Sequence, residues 1–322
     1  MLSRVAETVY WLGRYVERAE NTARIVNVNA NLLMDLPKGM APGWQPLITI
    51  TGSEAMFKKR YAGYEERHVV RFLLGDAENS SSLISSLRRA RENARTIRDI
   101  LPREAWEAIN ELYLFARDNL QSGLSKRGRY AYLRGIFSSV YSIAGLLDGT
   151  MNHGVGYDFL QIGRNLERAD MTTRIVDVRS ASLLPEETAG RRPFENIQWV
   201  SVLNSLSAYQ MYRRSMQVRV RRADVLRFLL LNSAFPRSVY RCVVEVEGCI
   251  SRLPHNEPPL RALGRLKRTL QGSDVGALVQ AELHEFIDQI QLGLGAVHGE
   301  IATSYFLVPT DGTARSAPSQ AA

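Results

Sequence analysis

The segment LGRYVERAENTARIV, Leu12 to Val26, returns as IGRNLERADMTTRIV, Ile162 to Val176. A Gly-Arg pair, a Glu-Arg pair and one further arginine keep their spacing in both copies while the residues between them change. No other feature constrains the fold as strongly, because a chain that repeats a helical segment must house two like helices. A second echo supports the doubling: RFLLGDAENSSSLI, Arg71 to Ile84, is followed by RFLLLNSAFPRSVY, Arg227 to Tyr240. The two echoes keep their order, and the offset moves only from 150 to 156. These observations imply a tandem duplication, with halves of about residues 1–150 and 151–308. Two copies are too few for a solenoid, so the expectation is a pseudo-symmetric helical bundle, or two bundles packed face to face.

An all-α class follows from periodicity. No run alternates β-branched and polar residues between hairpin turns, whereas helical spacing of apolar residues is nearly continuous. The spacing predicts helices over 3–34, 53–61, 65–74, 80–100, 102 to the glycines at 123 or 128, and 129–147. In the second half it predicts 157–182, 194–219, 223–231, 236–253, 259–271 and 274–307. The breaker-rich stretch from Asp35 to Pro46 reads as a connection, and 309–322 as a disordered tail. At 322 residues with 45% apolar composition the chain can bury a sizeable core. It shows no secretory signal and no apolar run of membrane-spanning length, so no membrane partner is expected. Cys242 and Cys249 are seven residues apart on one helix, about 10 Å along its axis, too far to pair. Unpaired cysteines fit a reducing cytoplasm.

On a helix, Leu12, Val16, Ala19, Ala23 and Val26 share one arc, matched by Ile162, Leu166, Ala169, Thr173 and Val176. Arg14, Glu17, Arg18 and Arg24 fall on the other side, matched by Arg164, Glu167, Arg168 and Arg174. On that side Glu17 lies one turn from Arg14 and two from Arg24, a carboxylate flanked by guanidiniums of its own helix. Gly13 and Gly163 edge the charged arc. Glycine inside a helix is about 1 kcal/mol worse than alanine, which points to close backbone approach there. The core arc tolerates exchanges between copies, while the charged positions do not. A solvated face behaves the other way, since exposed substitutions usually matter by less than about 0.5 kcal/mol. The charged arc is therefore expected to be engaged, either as a buried or half-buried Arg–Glu network at the seam between helices or between the two halves, or as a common cleft of the two helices whose arginines bind an anion such as a phosphate or carboxylate. A solvated face kept by descent is the remaining alternative.

Taken together, WLGRYVERAENTAR, GRNLERADMTTR, ARENARTIRD, YLRGI at Tyr132 to Ile136 and FPRSV at Phe235 to Val239 resemble the bacterial alpha-E domain family. The likeness runs from about Met1 to Val308, and departs at Tyr157, where relatives commonly carry tryptophan. It implies an all-helical domain whose Glu-Arg motif falls on Glu17–Arg18 and again on Glu167–Arg168. The resemblance carries no activity. Through gene neighbourhoods it implies work beside a circularly permuted ATP-grasp ligase and a transglutaminase-like peptidase, hence peptide modification or ligation, with an anionic peptide or nucleotide as the ligand class.

Other chemistry leaves little trace. There is no P-loop, dinucleotide fingerprint, nucleophile elbow or zincin helix, and no cofactor is expected. Glu282, His284, Glu285 and Asp288 have metal-capable types, but only His284 and Asp288 share a face and no second helix completes a site. Tyr209, Met211 and Tyr212 beside Arg213 and Arg214 read as core before they read as a stacking surface. The net charge of +8 rests on arginine, the lysines being Lys38, Lys58, Lys59, Lys126 and Lys267 alone. Segments Arg88 to Arg98 and Tyr212 to Arg227 could meet phosphates, although the 33 acids and the scatter of arginines make nucleic acid the weaker reading. The leading expectation is a non-catalytic accessory or scaffold protein. An enzyme with a cleft between the two Glu-Arg helices is the alternative, and a nucleic-acid-binding protein comes third.

Overall fold

The computed structural model describes residues 1–35, 43–181, 192–216 and 219–307. Among these the chain forms fifteen α-helices and no strand. The first half holds α1 (Ser3–Asp35), α2 (Gln45–Ile50), α3 (Glu54–Arg60), α4 (Glu66–Gly75), α5 (Leu83–Thr96), α6 (Arg103–Asp118), α7 (Leu120–Leu124) and α8 (Lys126–Thr150). The second holds α9 (Val155–Ala181), α10 (Arg192–Ser205), α11 (Tyr209–Met216), α12 (Arg222–Leu231), α13 (Val239–Ile250), α14 (Glu257–Gln271) and α15 (Gln280–Ile301). A π-helical turn, Ala302–Phe306, follows α15.

The two repeated segments lie in α1 and α9, and both helices are central. Helix α1 packs against α5, α8 and α9, and α9 packs against α13, α15 and α1. Helix α6 lies against both α5 and α8, as α14 does against α13 and α15. The apolar arc supplies much of this contact: Leu12, Ala19, Ala23 and Val26 are buried, as are Ile162, Leu166, Ala169 and Val176. The second echo also has a local cause. In each copy a short apolar helix, α4 or α12, ends in a polar turn, and a serine caps the helix that follows. Ser82 Oγ accepts the Ser85 N–H at 3.2 Å and Ser238 Oγ accepts the Arg241 N–H at 3.1 Å, each satisfying an amide that the first helical turn leaves free.

The structure departs from the predicted elements in several places; the helix expected from Pro102 to Gly123 or Gly128 is two, α6 and α7, parted at Asn119. The helix expected over 194–219 is two, α10 and α11, broken where Ser207 takes a left-handed φ of 52°. There the Ala208 N–H turns back to Leu203 O at 2.7 Å, closing the helix end while Ala208 itself is buried. Helix α15 begins at Gln280 and not at Asp274, because Asp274 Oδ1 accepts the Gly276 N–H at 3.2 Å and Arg227 Nη2 at 2.9 Å, fixing a turn. Finally, α2 stands where only a connection was expected, with Pro46 in its first turn, a position that needs no amide hydrogen. The proposed tail over 309–322 lies outside the described residues. No helix among those described is long and apolar enough to cross a membrane.

Candidate functional site

Helices α1 and α9 touch at their glycines. A Cβ on Gly13 would stand 2.3 Å from the Leu160 carbonyl oxygen, and one on Gly163 would stand 2.0 Å from that of Tyr10. Both obstacles are main chain, so neither can rotate away. This approach lets the arginines of each helix reach the glutamate of the other. Arg14 Nε donates to Glu167 Oε2 at 2.8 Å, and Arg18 donates through Nε to Oε1 at 2.6 Å and through Nη2 to Oε2 at 3.1 Å. In return Arg168 donates to Glu17 through Nε at 3.1 Å and Nη2 at 2.8 Å, while Arg164 Nε lies 3.5 Å from Glu17 Oε2. The ladder within one helix is thereby corrected: Glu17 pairs with arginines of α9, not with Arg14 and Arg24. Side-on guanidinium–carboxylate pairs of this kind are short and directional, and the glycine contact brings the opposite helix within their reach.

The last arginine of each copy pairs elsewhere. Arg174 Nε donates to Asp170 Oδ2 at 2.8 Å, one turn back on α9. Arg24 pairs with Glu20 at the equivalent spacing, and donates also to Ser207 Oγ and to Tyr141 Oη at 2.7 Å. Glu20 joins Arg24 to the crossing through Arg237, a residue that repeat reasoning passed over. Arg237 Nη1 donates to Glu17 Oε1 at 2.7 Å and to Asn21 Oδ1 at 3.0 Å, and Nη2 donates to Glu20 Oε1 at 2.6 Å. It sits in FPRSV just before α13, where the first copy carries Ser81, so comparison of copies gave no signal.

Six guanidiniums, of Arg14, Arg18, Arg24, Arg164, Arg168 and Arg237, thus surround three carboxylates, of Glu17, Glu20 and Glu167. The glutamates are almost sealed from water, with side-chain exposures of 2%, 1% and 4% respectively. Burial alone would raise the Glu17 carboxyl, but Arg168, Arg237 and Arg164 overcome it and hold the group far below the ordinary range. Burial acts likewise on Glu167, and Arg18 and Arg14 outweigh it, lowering it to about 2. Arg164, the most exposed of the six at 27%, is shifted downward by desolvation and by the neighbouring Arg168. Both motif carboxylates are therefore anionic at neutral pH, with every oxygen in contact with a guanidinium.

At one edge Arg14 Nη1 donates to Tyr10 Oη at 3.1 Å, and that hydroxyl lies 2.8 Å from His298 Nδ1. The His298 ring stacks on Tyr10 at 5.6 Å between centroids. Burial, with help from the Arg14 charge, pushes His298 down to about 4. Elsewhere the other sequence candidates are placed apart. His284 Nδ1 meets Asp177 at 2.8 Å, and among the described residues no three His, Cys, Asp or Glu side chains converge as a metal group would need. Tyr212 is fully buried and donates to Arg219 O at 3.1 Å. In the basic stretch on α5, Arg91 and Arg95 both pair with Glu92 at 2.8 Å.

The chain is similar to uncharacterized proteins of Mycobacterium bovis and of two strains of Mycobacterium tuberculosis, each 21% identical over 337 residues. The alignments cover 95% of this chain but 37% of each relative, so the chain spans little more than a third of their length. No solved structure matches it significantly. A family profile described as a predicted alpha-helical domain with a conserved ER motif matches residues 1–306. With the profile spanning nearly all of the described residues, the chain belongs to the Alpha-E family.

Proposed function

We propose that this chain is a non-catalytic accessory or scaffold module of a bacterial cytoplasmic system for peptide modification or ligation. Its partners in that reading are a circularly permuted ATP-grasp ligase and a transglutaminase-like peptidase. One observation carries the non-catalytic half: both motif glutamates are buried and each is held by guanidiniums from the opposite helix, so the motif spends its charge on joining two helices. A general acid or base needs a proton affinity near the working pH, and these carboxylates sit well below it. The module half is supported by the mycobacterial relatives, in which the matching region makes up 37% of a longer chain. The two buried, unpaired cysteines fit a reducing compartment.

The test is co-purification of the chain with a circularly permuted ATP-grasp ligase of the same genome, together with ligase turnover measured with and without the chain. A complex, or a change in turnover, is expected, and finding neither removes the proposal. The competing enzyme reading, with the α1–α9 network as its site, would gain if a folded Glu167→Gln protein bound the ligase normally yet abolished activity of the complete system.

A further inference from the structure

The first arginines of the two copies meet different surroundings. Arg14 donates to Glu167 and to Tyr10 Oη, and its guanidinium lies over the rings of Tyr10 and Trp11 at 5.8 and 5.3 Å. At the matching positions before Arg164 the sequence has Leu160 and Gln161, which offer neither a phenol hydroxyl nor an aromatic face. Glu17 is also largely taken. Arg168 holds both of its oxygens and Arg237 holds Oε1, which leaves Arg164 Nε 3.5 Å from Oε2 and without a hydrogen bond among the described residues. The Arg164 side chain is 27% exposed against 13% for Arg14. None of its nitrogens is both sealed and unpartnered, so its free donors are open to water.

Arg164 stands on the wall of a groove of about 30 Å³ where α1, α8 and α9 meet. Val16 of α1, Val140, Ala144 and Leu147 of α8, and Leu160 of α9 make the groove largely apolar. Besides Glu17, whose oxygens are taken, Arg164 and Gln161 are its polar members. One water needs about 10–15 Å³ of such space and two or more polar partners, so a small branched alkyl group suits this floor better than water does. Charge narrows the choice further. Six guanidiniums against three carboxylates leave an excess of three positive charges, and Arg164 is the one of the six that makes no hydrogen bond. An excess cation with open donors beside an apolar groove selects a monoanion. A zwitterion would add a cation to the excess, and a phosphate dianion would give up more hydration than one guanidinium and apolar walls return.

We propose that this groove binds a small branched aliphatic monocarboxylate, its carboxylate on Arg164 and its alkyl tip against Val16, Ala144 and Leu147. The anion-binding cleft expected of the two motif helices is thereby narrowed to a single arginine. The site does not rest on the accessory role. Binding is measured on the purified full chain with no ligase present, so its failure leaves the partner proposal untouched.

The experiment is calorimetric titration of the full chain at low ionic strength with isovalerate, isovaleramide, acetate, leucine and inorganic phosphate. Saturable binding of isovalerate with a Kd in the millimolar range is expected. Isovaleramide should bind about tenfold or more weakly through loss of the charge-assisted contact. Acetate, which lacks the branched tip, and leucine, which adds an ammonium, should each bind several-fold more weakly. Arg164→Gln should weaken isovalerate binding about tenfold, and Ala144→Leu, which fills the groove, should abolish it. Glu17 keeps Arg168 and Arg237 in the first variant and position 144 is half-exposed in the second, so both should fold, as circular dichroism checks. No saturable binding of isovalerate by the unaltered chain up to about 20 mM would overturn the proposal. So would isovaleramide, leucine or phosphate binding as tightly as isovalerate, or binding unchanged in either folded variant.

Discussion

Glu17 takes guanidinium contacts from Arg168, Arg237 and Arg164, whereas Glu167 takes them from Arg14 and Arg18 alone. Glu17→Gln leaves the buried Arg168 and Arg237 and the half-buried Arg164 facing a neutral amide and should destabilise the fold by roughly 3–5 kcal/mol, with Glu167→Gln losing less; urea unfolding midpoints decide the order. The pH response has two parts of one sign. His298, held neutral to about 4 against an ordinary 6.5, binds its proton sooner in the unfolded chain. Its contribution is therefore complete above about pH 6.5 and is lost as pH falls toward 4. Glu167, lowered from 4.5 to about 2, adds a second loss below pH 4.5. Urea midpoints at several pH values should show the first slope, and His298→Gln should remove it. The motif residues were legible in the sequence because two copies preserved them. Arg237, Glu20 and His298 were not. Arg237 has no counterpart, Glu20 is answered by the aspartate Asp170, and His298 meets Tyr10 only through the tertiary fold.

Between elements, the backbone contact at Gly13 and Gly163 governs how near α1 and α9 lie. A methyl group there meets a carbonyl oxygen at 2.3 or 2.0 Å, so Gly13→Ala and Gly163→Ala must part the helices and stretch the ion pairs. Each should destabilise by about 2–3 kcal/mol, the scale of overpacking, despite the better helix propensity of alanine. Gly145 and Gly149 on α8 have nothing within 4 Å of a new Cβ, and alanine there should stabilise by up to about 1 kcal/mol. Thermal unfolding of the four variants checks both signs. Helices whose apolar residues recur at helical spacing between polar or breaker residues could be read from sequence, as α4 and α14 show. The split of α10 from α11 could not, because Ser207 adopts its left-handed conformation where Arg24 and the buried Ala208 meet it, and no glycine announces the turn.

For the whole molecule, the motif glutamate and arginines of α1 have ionic partners in the second half, and those of α9 in the first. A fragment of residues 1–150 would carry Arg14, Glu17 and Arg18 without their counterparts, and should not fold as a monomer. Coexpression of 1–150 with 151–322, cut at the turn between α8 and α9, should instead give a helical one-to-one complex; size exclusion and circular dichroism distinguish the outcomes. The sequence disclosed a helical chain with a repeated charged segment, and a seam between the halves was among its readings, but not which arginine meets which acid, since intrahelical spacing offered Glu17 nearer partners. That mutual grip bears on inheritance: neither segment can lose a motif arginine alone, because the loss strands an acid on the other helix. Mutational escape would require matched changes about 150 positions apart.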